Sequence, residues 1–263
     1  MKKYFVVGNP IEHSLSPKLH NFWIKNNRID AIYEKKFLSK DGLKNLILEV
    51  KKKKIDGINV TVPFKKTVIP YLDQLSIESK NTQSVNTIYL NNNKTIGHNT
   101  DIEGFERSIK ETKLDIKNKK VLILGAGGVA PSIIFALYKM KVSEIMITNR
   151  TKSKAEDLKG LFKNLKIVDW GKVPEFDIII NATSVGLKKG DEINLDFSKI
   201  GKNKFFYDLI YNPNETNFLK IGKNLGNRTE NGKLMFIYQA LAAFNVWHGV
   251  QPEINNEVIK LLD

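Results

Sequence analysis

The 263-residue chain has no cysteine, which excludes disulfides, thiolate nucleophiles and cysteine-ligated zinc. Histidine is scarce too, at four residues. His13, His20, His98 and His248 share no ligand-like spacing with one another or with a third donor, so no metal site is expected and His13 and His20 read as structural. No apolar run approaches the ~20 residues of a membrane span. Lys2-Lys3 leads straight into a short strand, without the apolar core and cleavage site of a signal peptide. The expectation is a soluble, cytoplasmic protein with no membrane partner. Internal repeats and low-complexity linkers are missing as well, and the length fits one large domain or two smaller ones.

Acidic residues are in short supply: 28 Asp and Glu stand against 42 Lys and Arg, a formal charge of +14. Such a balance invites a nucleic-acid reading. The lysines are scattered, however, and the densest run, Lys51 to Lys54, closes a predicted helix, where it favours the dipole and faces water. No nucleic-acid motif or aromatic-basic interleaving accompanies it. We expect no nucleic-acid partner, and a surface that attracts small anionic ligands.

The first hundred residues alternate strand and helix. Tyr4–Val7, Ala31–Phe37, Gly57–Val62 and Val85–Leu90 read as strands, and Pro17–Asn27 and Asp41–Lys53 as helices. Ser16-Pro17 is a helix start, with the hydroxyl capping and proline at the first helical position. Asn91-Asn92-Asn93 reads as a hairpin turn, and a helix from about Ile102 to Thr112 follows. The later half adds strands near Ile167-Val168, Phe176–Asn181 and Lys204–Asp208. Two helices close it, Leu234–Trp247 and Ile254–Leu262. The fold class is α/β in two domains: a substrate domain over 1–101 completed by 235–263, and a Rossmann-type domain over 102–234.

The clearest chemical signal lies mid-chain. The strand Lys120–Leu124 ends in Gly125-Ala126-Gly127-Gly128-Val129-Ala130 and opens a helix, and a second strand, Glu144–Thr148, completes a βαβ unit. Gly125 suits the tight turn, Gly127 a close backbone approach to pyrophosphate, and Ala130 close helix packing. The helix amino end offers N–H groups and partial positive charge. An NAD site would place a carboxylate after the second strand. Here the chain reads Asn149-Arg150-Thr151-Lys152-Ser153-Lys154, in which Arg150 can grip a 2′-phosphate bidentately and Lys154 can add charge. The expected cofactor is NADP.

Polar residues gather elsewhere. In Asn59-Val60-Thr61-Val62-Pro63-Phe64-Lys65, Pro63 ends ladder pairing and leaves Thr61 and Lys65 near a strand's carboxyl end, the edge where open α/β sheets bind ligands. By pattern alone Lys65 reads as a solvated helix-start residue ahead of a functional one. Asn99-Thr100-Asp101 is a capping sequence, in which Asp101 alone reads as an N-cap. Ser14 and Ser16 lie in a loop whose hydroxyls suit either a carboxylate or a helix cap.

Together these segments resemble the shikimate dehydrogenase family. The likeness runs through His13-Ser14-Leu15-Ser16-Pro17 with His20-Asn21, the stretch Asn59 to Lys65, Val85-Asn86-Thr87, and Asn99-Thr100-Asp101-Ile102-Glu103-Gly104. It continues through the glycine turn, Asn149-Arg150-Thr151, Asn181-Ala182-Thr183-Ser184-Val185-Gly186, Tyr207-Asp208-Leu209-Ile210-Tyr211-Asn212-Pro213, and Met235 with Gln239-Ala240. The resemblance implies NADPH-dependent, reversible reduction of 3-dehydroshikimate to shikimate, in chorismate and aromatic amino-acid biosynthesis. It implies Lys65 and Asp101 as the catalytic pair. Ser14 and Ser16 would hold the substrate carboxylate, and Thr61, Asn86, Asn99, Tyr211 and Gln239 would contact the ring hydroxyls. NADP would rest on Gly125, Ala126, Gly127, Gly128, Val129 and Ala130, with Asn149, Arg150, Thr151 and Lys154 at the adenosine phosphate and Thr183, Gly232 and Met235 toward the nicotinamide. Two positions depart from the pattern: Pro131 stands where many members carry a basic residue, and Leu234 where a glycine is frequent. Other readings are a quinate/shikimate dehydrogenase with relaxed cofactor use and a non-catalytic regulator that binds shikimate and NADP. The sequence leaves monomer and homodimer open.

Overall fold

Two six-stranded sheets, each built from β-branched and aromatic segments flanked by helices, organise the chain. A computed structural model describes residues 1–39, 41–188 and 190–262. The chain divides into a unit of Met1–Gly104 with Ile237–Asp263 and a unit of Phe105–Phe236.

The first unit runs β1 (Lys2–Gly8), α1 (Ser16–Asn26), β2 (Ala31–Phe37), α2 (Gly42–Lys51), β3 (Gly57–Val60), α3 (Phe64–Thr67), β4 (Gln74–Leu75), α4 (Ile77–Thr82), β5 (Thr87–Asn91) and β6 (Lys94–His98), and then enters α5 (Asp101–Glu111). The sheet order is β2-β1-β3-β5-β6-β4. β1, β2 and β3 are parallel, while β5 runs antiparallel to both β3 and β6. The β5–β6 hairpin closes through Asn92 and Asn93, at φ 48° and 58°, the left-handed pair that a two-residue primed turn requires and that asparagine tolerates. Leu43, Leu46, Ile47 and Val50 of α2 pack on Ile58, Val60 and Ile88 of the sheet.

The second unit contains β7 (Lys120–Leu124), α6 (Ala130–Lys139), β8 (Glu144–Thr148), α7 (Lys152–Leu161), β9 (Lys166–Ile167), β10 (Ile178–Asn181), β11 (Phe205–Asp208), α8 (Asn217–Asn224) and β12 (Arg228–Glu230). α9 (Lys233–His248) carries the chain back into the first unit, where α10 (Asn256–Lys260) ends it. All six strands are parallel in the order β12-β11-β10-β7-β8-β9. Counted from β7 as the first strand, this is 3-2-1-4-5-6, the doubly wound dinucleotide order, whose direction reverses between β7 and β10. The inner strands β7, β8, β10 and β11 are largely apolar and buried on both faces, as helices on each side of a parallel sheet demand. Among the described residues, no helix is long and apolar enough to cross a membrane.

Candidate active site

In the first unit, topology gathers four distant segments at one sheet edge. Parallel β1 and β3 end there, β5 begins there because it runs antiparallel to β3, and β6 ends there. Backbone bonds knit the edge: Thr61 N donates to Val7 O at 2.9 Å, Val60 N to Asn86 O at 2.8 Å, Val85 N to Lys65 O at 2.9 Å and Asn86 N to His98 O at 3.0 Å. Ser14, Ser16, Thr61, Lys65, Asn86, Asn99 and Asp101 therefore share this edge.

At its centre Lys65 Nζ donates to Asp101 Oδ2 at 2.6 Å, with side-chain exposures of 12 % and 7 %. A pair so short and so dry is held as a unit, since neither charge has full access to water. Asn86 fixes the carboxylate from its other oxygen. Its Nδ2 donates to Asp101 Oδ1 at 2.9 Å and to Thr100 Oγ1 at 2.9 Å, and its Oδ1 accepts from Thr100 N at 2.8 Å. Asn59, buried beneath, donates to Asn86 O and Thr87 Oγ1, both at 3.1 Å. It accepts from the Tyr33 hydroxyl at 2.7 Å. Sequence reasoning gave Tyr33 no part, because its link to Asn59 spans two strands with β1 between them.

Two capping expectations change. Ser16 lies inside the first turn of α1, the cap position is Leu15, and no side chain caps it. The Ser16 N–H is met by Ser14 Oγ at 3.3 Å, and the buried Ser16 side chain lies beside the Tyr33 phenol. At α5 the cap bond comes from Asn99, whose Oδ1 accepts from Asp101 N at 3.1 Å. Asp101 thus begins the helix with its carboxylate free for Lys65. Asn99 Nδ2 also donates to Ser84 O at 3.0 Å. The Thr61 hydroxyl makes no hydrogen bond among the described residues. Gln239 lies half-buried on α9 in this unit, whereas Tyr211 belongs to the second unit, stacked on Phe236 with ring centroids 4.3 Å apart.

The second unit places the glycine turn at the carboxyl end of β7 and Thr183 at that of β10, the two sides of the reversal point. Gly125 has φ +103°, and an added Cβ would meet Thr183 Cγ2 at 2.7 Å and the Ala182 backbone at 3.0 Å. The fold itself therefore requires that glycine. Gly127 differs: a Cβ there would meet only Ala182 O, at 3.8 Å. The protein makes no demand at Gly127, so the open backbone suits a pyrophosphate. Ala130 is fully buried at the start of α6, and Pro131 sits in that first turn, where no N–H bond is lost.

Asn149 ties this turn to the basic loop. Its Oδ1 accepts from Ala126 N at 3.0 Å, and its Nδ2 donates to Thr151 O at 2.7 Å. Thr151 is the cap position of α7 but makes no side-chain cap bond. Arg150, anchored on both flanks, stands exposed, as does Lys154. Two cations without an ion pair among the described residues, beside a glycine turn and with no carboxylate between 149 and 154, fit a cofactor bearing a 2′-phosphate. Gly232 answers to the fold: an added Cβ would collide with the Leu209 backbone. Met235 is buried at the start of α9.

A doubly wound nucleotide unit, joined in sequence to a mixed α/β unit with a buried lysine–carboxylate pair, defines the class: a two-unit α/β dehydrogenase. The profile described as shikimate dehydrogenase substrate binding domain matches residues 6–88, and that described as shikimate / quinate 5-dehydrogenase matches residues 107–208. A shikimate dehydrogenase (NADP(+)) of Pelagibacter ubique is 58% identical over 264 residues, covering 100% of both chains. One from Caldicellulosiruptor saccharolyticus is 41% identical over 260 residues, covering 95% of this chain and 93% of the other. The crystal structure of shikimate 5-dehydrogenase from Thermus thermophilus, in complex with NADP(H) and shikimate, superposes with a TM-score of 0.91 at 30% identity, covering 100% of this chain and 98% of the other. The chain belongs to the shikimate dehydrogenase family.

Proposed function

We propose that this chain catalyses the reversible NADPH-dependent reduction of 3-dehydroshikimate to shikimate, on the route to chorismate and the aromatic amino acids. The observation that carries the reading is the braced Lys65–Asp101 pair at 2.6 Å, on the same edge as Ser14, Ser16 and Thr61. The names of the full-length relatives support it.

In the forward direction the Lys65 ammonium points a hydrogen-bond donor at the ketone oxygen, stabilises the developing alkoxide and passes it a proton. In the reverse direction neutral Lys65 accepts the hydroxyl proton. Asp101 fixes the Nζ position and keeps a counter-charge beside it. Ser14 and Ser16 hydroxyls donate to the substrate carboxylate. The Thr61 hydroxyl, without a partner among the described residues, serves a ring hydroxyl. Asn86 and Asn99 are proposed neighbours of the ring hydroxyls, and their bonds to Thr100 and Asp101 give them a second duty in holding the carboxylate. Tyr211 and Gln239 complete the proposed substrate set. NADPH, when bound, supplies the hydride. Gly125 to Ala130, Asn149, Arg150, Thr151, Lys154, Thr183, Gly232 and Met235 are the residues proposed to hold it.

On this reading the enzyme works in the cytoplasm on small-molecule ligands, as a monomer or homodimer. The test is the rise of reduced-nicotinamide absorbance when the protein meets shikimate and NADP+. Turnover is expected with NADP+ and should be at least about tenfold poorer with NAD+, the scale of one lost charge-assisted contact. No turnover with either cofactor would overturn the reading, and equal turnover with both would favour the relaxed-cofactor alternative.

A further inference from the structure

Asp208 closes β11 with no exposed surface and no ion pair among the described residues. Its Oδ1 accepts from Asn181 Nδ2 and from Ile210 N, both at 3.0 Å, and its Oδ2 accepts from Thr216 Oγ1 at 2.6 Å. Each donor leads to a loop at the carboxyl edge of the parallel sheet. Asn181 Oδ1 accepts from Thr183 N at 3.1 Å and Thr183 Oγ1 at 2.7 Å, and Thr183 Cγ2 is the wall that an added Cβ at Gly125 would strike. Ile210 precedes Tyr211. Thr216 caps α8 through Leu219 N at 3.3 Å.

Keeping this carboxylate ionised carries a cost to the fold. Burial pushes it up to about 6, against the pull of its three donors. A raised carboxyl pKa means that the folded chain binds the proton more tightly than the unfolded chain. Ionised Asp208 therefore weakens the fold above about pH 6, and the penalty fades as the pH falls. Two titratable side chains interact at this end of the sheet, and neither is a cation. They are Tyr207, whose phenol bonds Ser108 Oγ at 2.9 Å, and Glu230, in register with Tyr207 on β12. Burial raises both above their ordinary values. Groups that oppose folding persist where function uses them.

We infer that Asp208 is a positioning residue for the cofactor edge: its carboxylate ties the loops after β10 and β11 together, and so sets Thr183 against the Gly125 turn and fixes the backbone leading to Tyr211. This rests on the proposed use of NADP. The test is the NADP+ dissociation constant by calorimetry, for wild type and Asp208→Asn, from pH 7.5 to 5, with melting temperatures alongside. If wild type binds no NADP+, the cofactor reading itself fails. If it binds, Asp208→Asn is expected to bind about tenfold more weakly at pH 7.5, the scale of lost hydrogen bonds to a charged group. The ratio should approach one at pH 5 while the variant melts no lower than wild type at pH 7.5. The 2′-phosphate also ionises near pH ~6, but it is common to both proteins and cancels in the ratio. Equal affinities at pH 7.5, or weaker binding that tracks a lowered melting temperature at every pH, would overturn the inference. Should Asp208→Asn not fold, Thr216→Val removes only the shortest donor. It is expected to move the acid midpoint of NADP+ affinity upward, and an unmoved midpoint would overturn the inference equally.

Discussion

Lowering the pH from 7.5 to 5 should remove about 2 kcal/mol of stability through His20 alone. The imidazole is buried on α1, stacked on Tyr33 with centroids 4.1 Å apart and planes at 4°, and lies within 6.0 Å of the rings of Trp23, Phe244 and Trp247. Neither ring nitrogen has a hydrogen-bond partner among the described residues. Burial, with a smaller push from His248, takes its pKa down to about 3 from 6.5. The unfolded chain therefore takes up a proton near 6.5 that the folded chain refuses until about 3. The stability is fully present above that upper value and drains as the pH falls through the window; at pH 5 the deficit is roughly 1.5 pH units, or ~2 kcal/mol. His248, lowered to about 4, acts in the same sense, whereas Asp208 acts in the opposite one, so the diagnostic is a difference between proteins. Urea unfolding of wild type and His20→Phe at both pH values isolates it. Phenylalanine keeps the stack on Tyr33, and its loss between pH 7.5 and 5 should be smaller by ~2 kcal/mol. An identical loss in both proteins would refute the reasoning. Ser16 lies one turn before His20, so the same acid loosening strikes the proposed carboxylate seat.

Three further outcomes follow from the site. Arg150→Ala should weaken NADP+ binding by about 10- to 100-fold, the range of a lost charged hydrogen bond, and leave NAD+ within about threefold; calorimetry that found equal effects would remove the 2′-phosphate argument. Gly125→Ala combines a left-handed φ with contact on Thr183 and Ala182 and should lower stability by about 2–4 kcal/mol in denaturant unfolding. Gly127→Ala should fold within about 1 kcal/mol of wild type yet lose NADP+ affinity; unchanged affinity would mean that no ligand backs against that residue.

Local chemistry made much of this legible in advance. The Asn92-Asn93 turn, the strand ending before Pro63 and the glycine turn are each decided by residues adjacent in sequence. The short elements were not. β4 is a two-residue strand held by Asp73, whose carboxylate accepts from Thr95 N and Oγ1, both at 2.8 Å, a partner 22 residues away that no periodicity reveals. α8 and β12 likewise depend on packing beneath Phe206 and along β11. At the site, the family resemblance pointed to Lys65 and Asp101, which local pattern alone reads as a solvated lysine and a helix cap, and nothing in the sequence pointed to the braces. Asn59, Tyr33 and the Asp208–Asn181 link join strands remote in sequence, and only the sheet order makes them neighbours. Ser16 shows the converse: a residue with every local mark of a cap is turned inward by its place over Tyr33.

The most direct test of the central claim compares kcat for shikimate oxidation by NADP+ in wild type and Lys65→Met, with shikimate affinity measured by calorimetry. Loss of the group that accepts the hydroxyl proton and steadies the developing alkoxide should lower kcat by about 10³-fold or more while shikimate binds within about tenfold of wild type, since Ser14, Ser16 and Thr61 remain. A Lys65→Met protein that kept kcat within about tenfold of wild type would contradict the account.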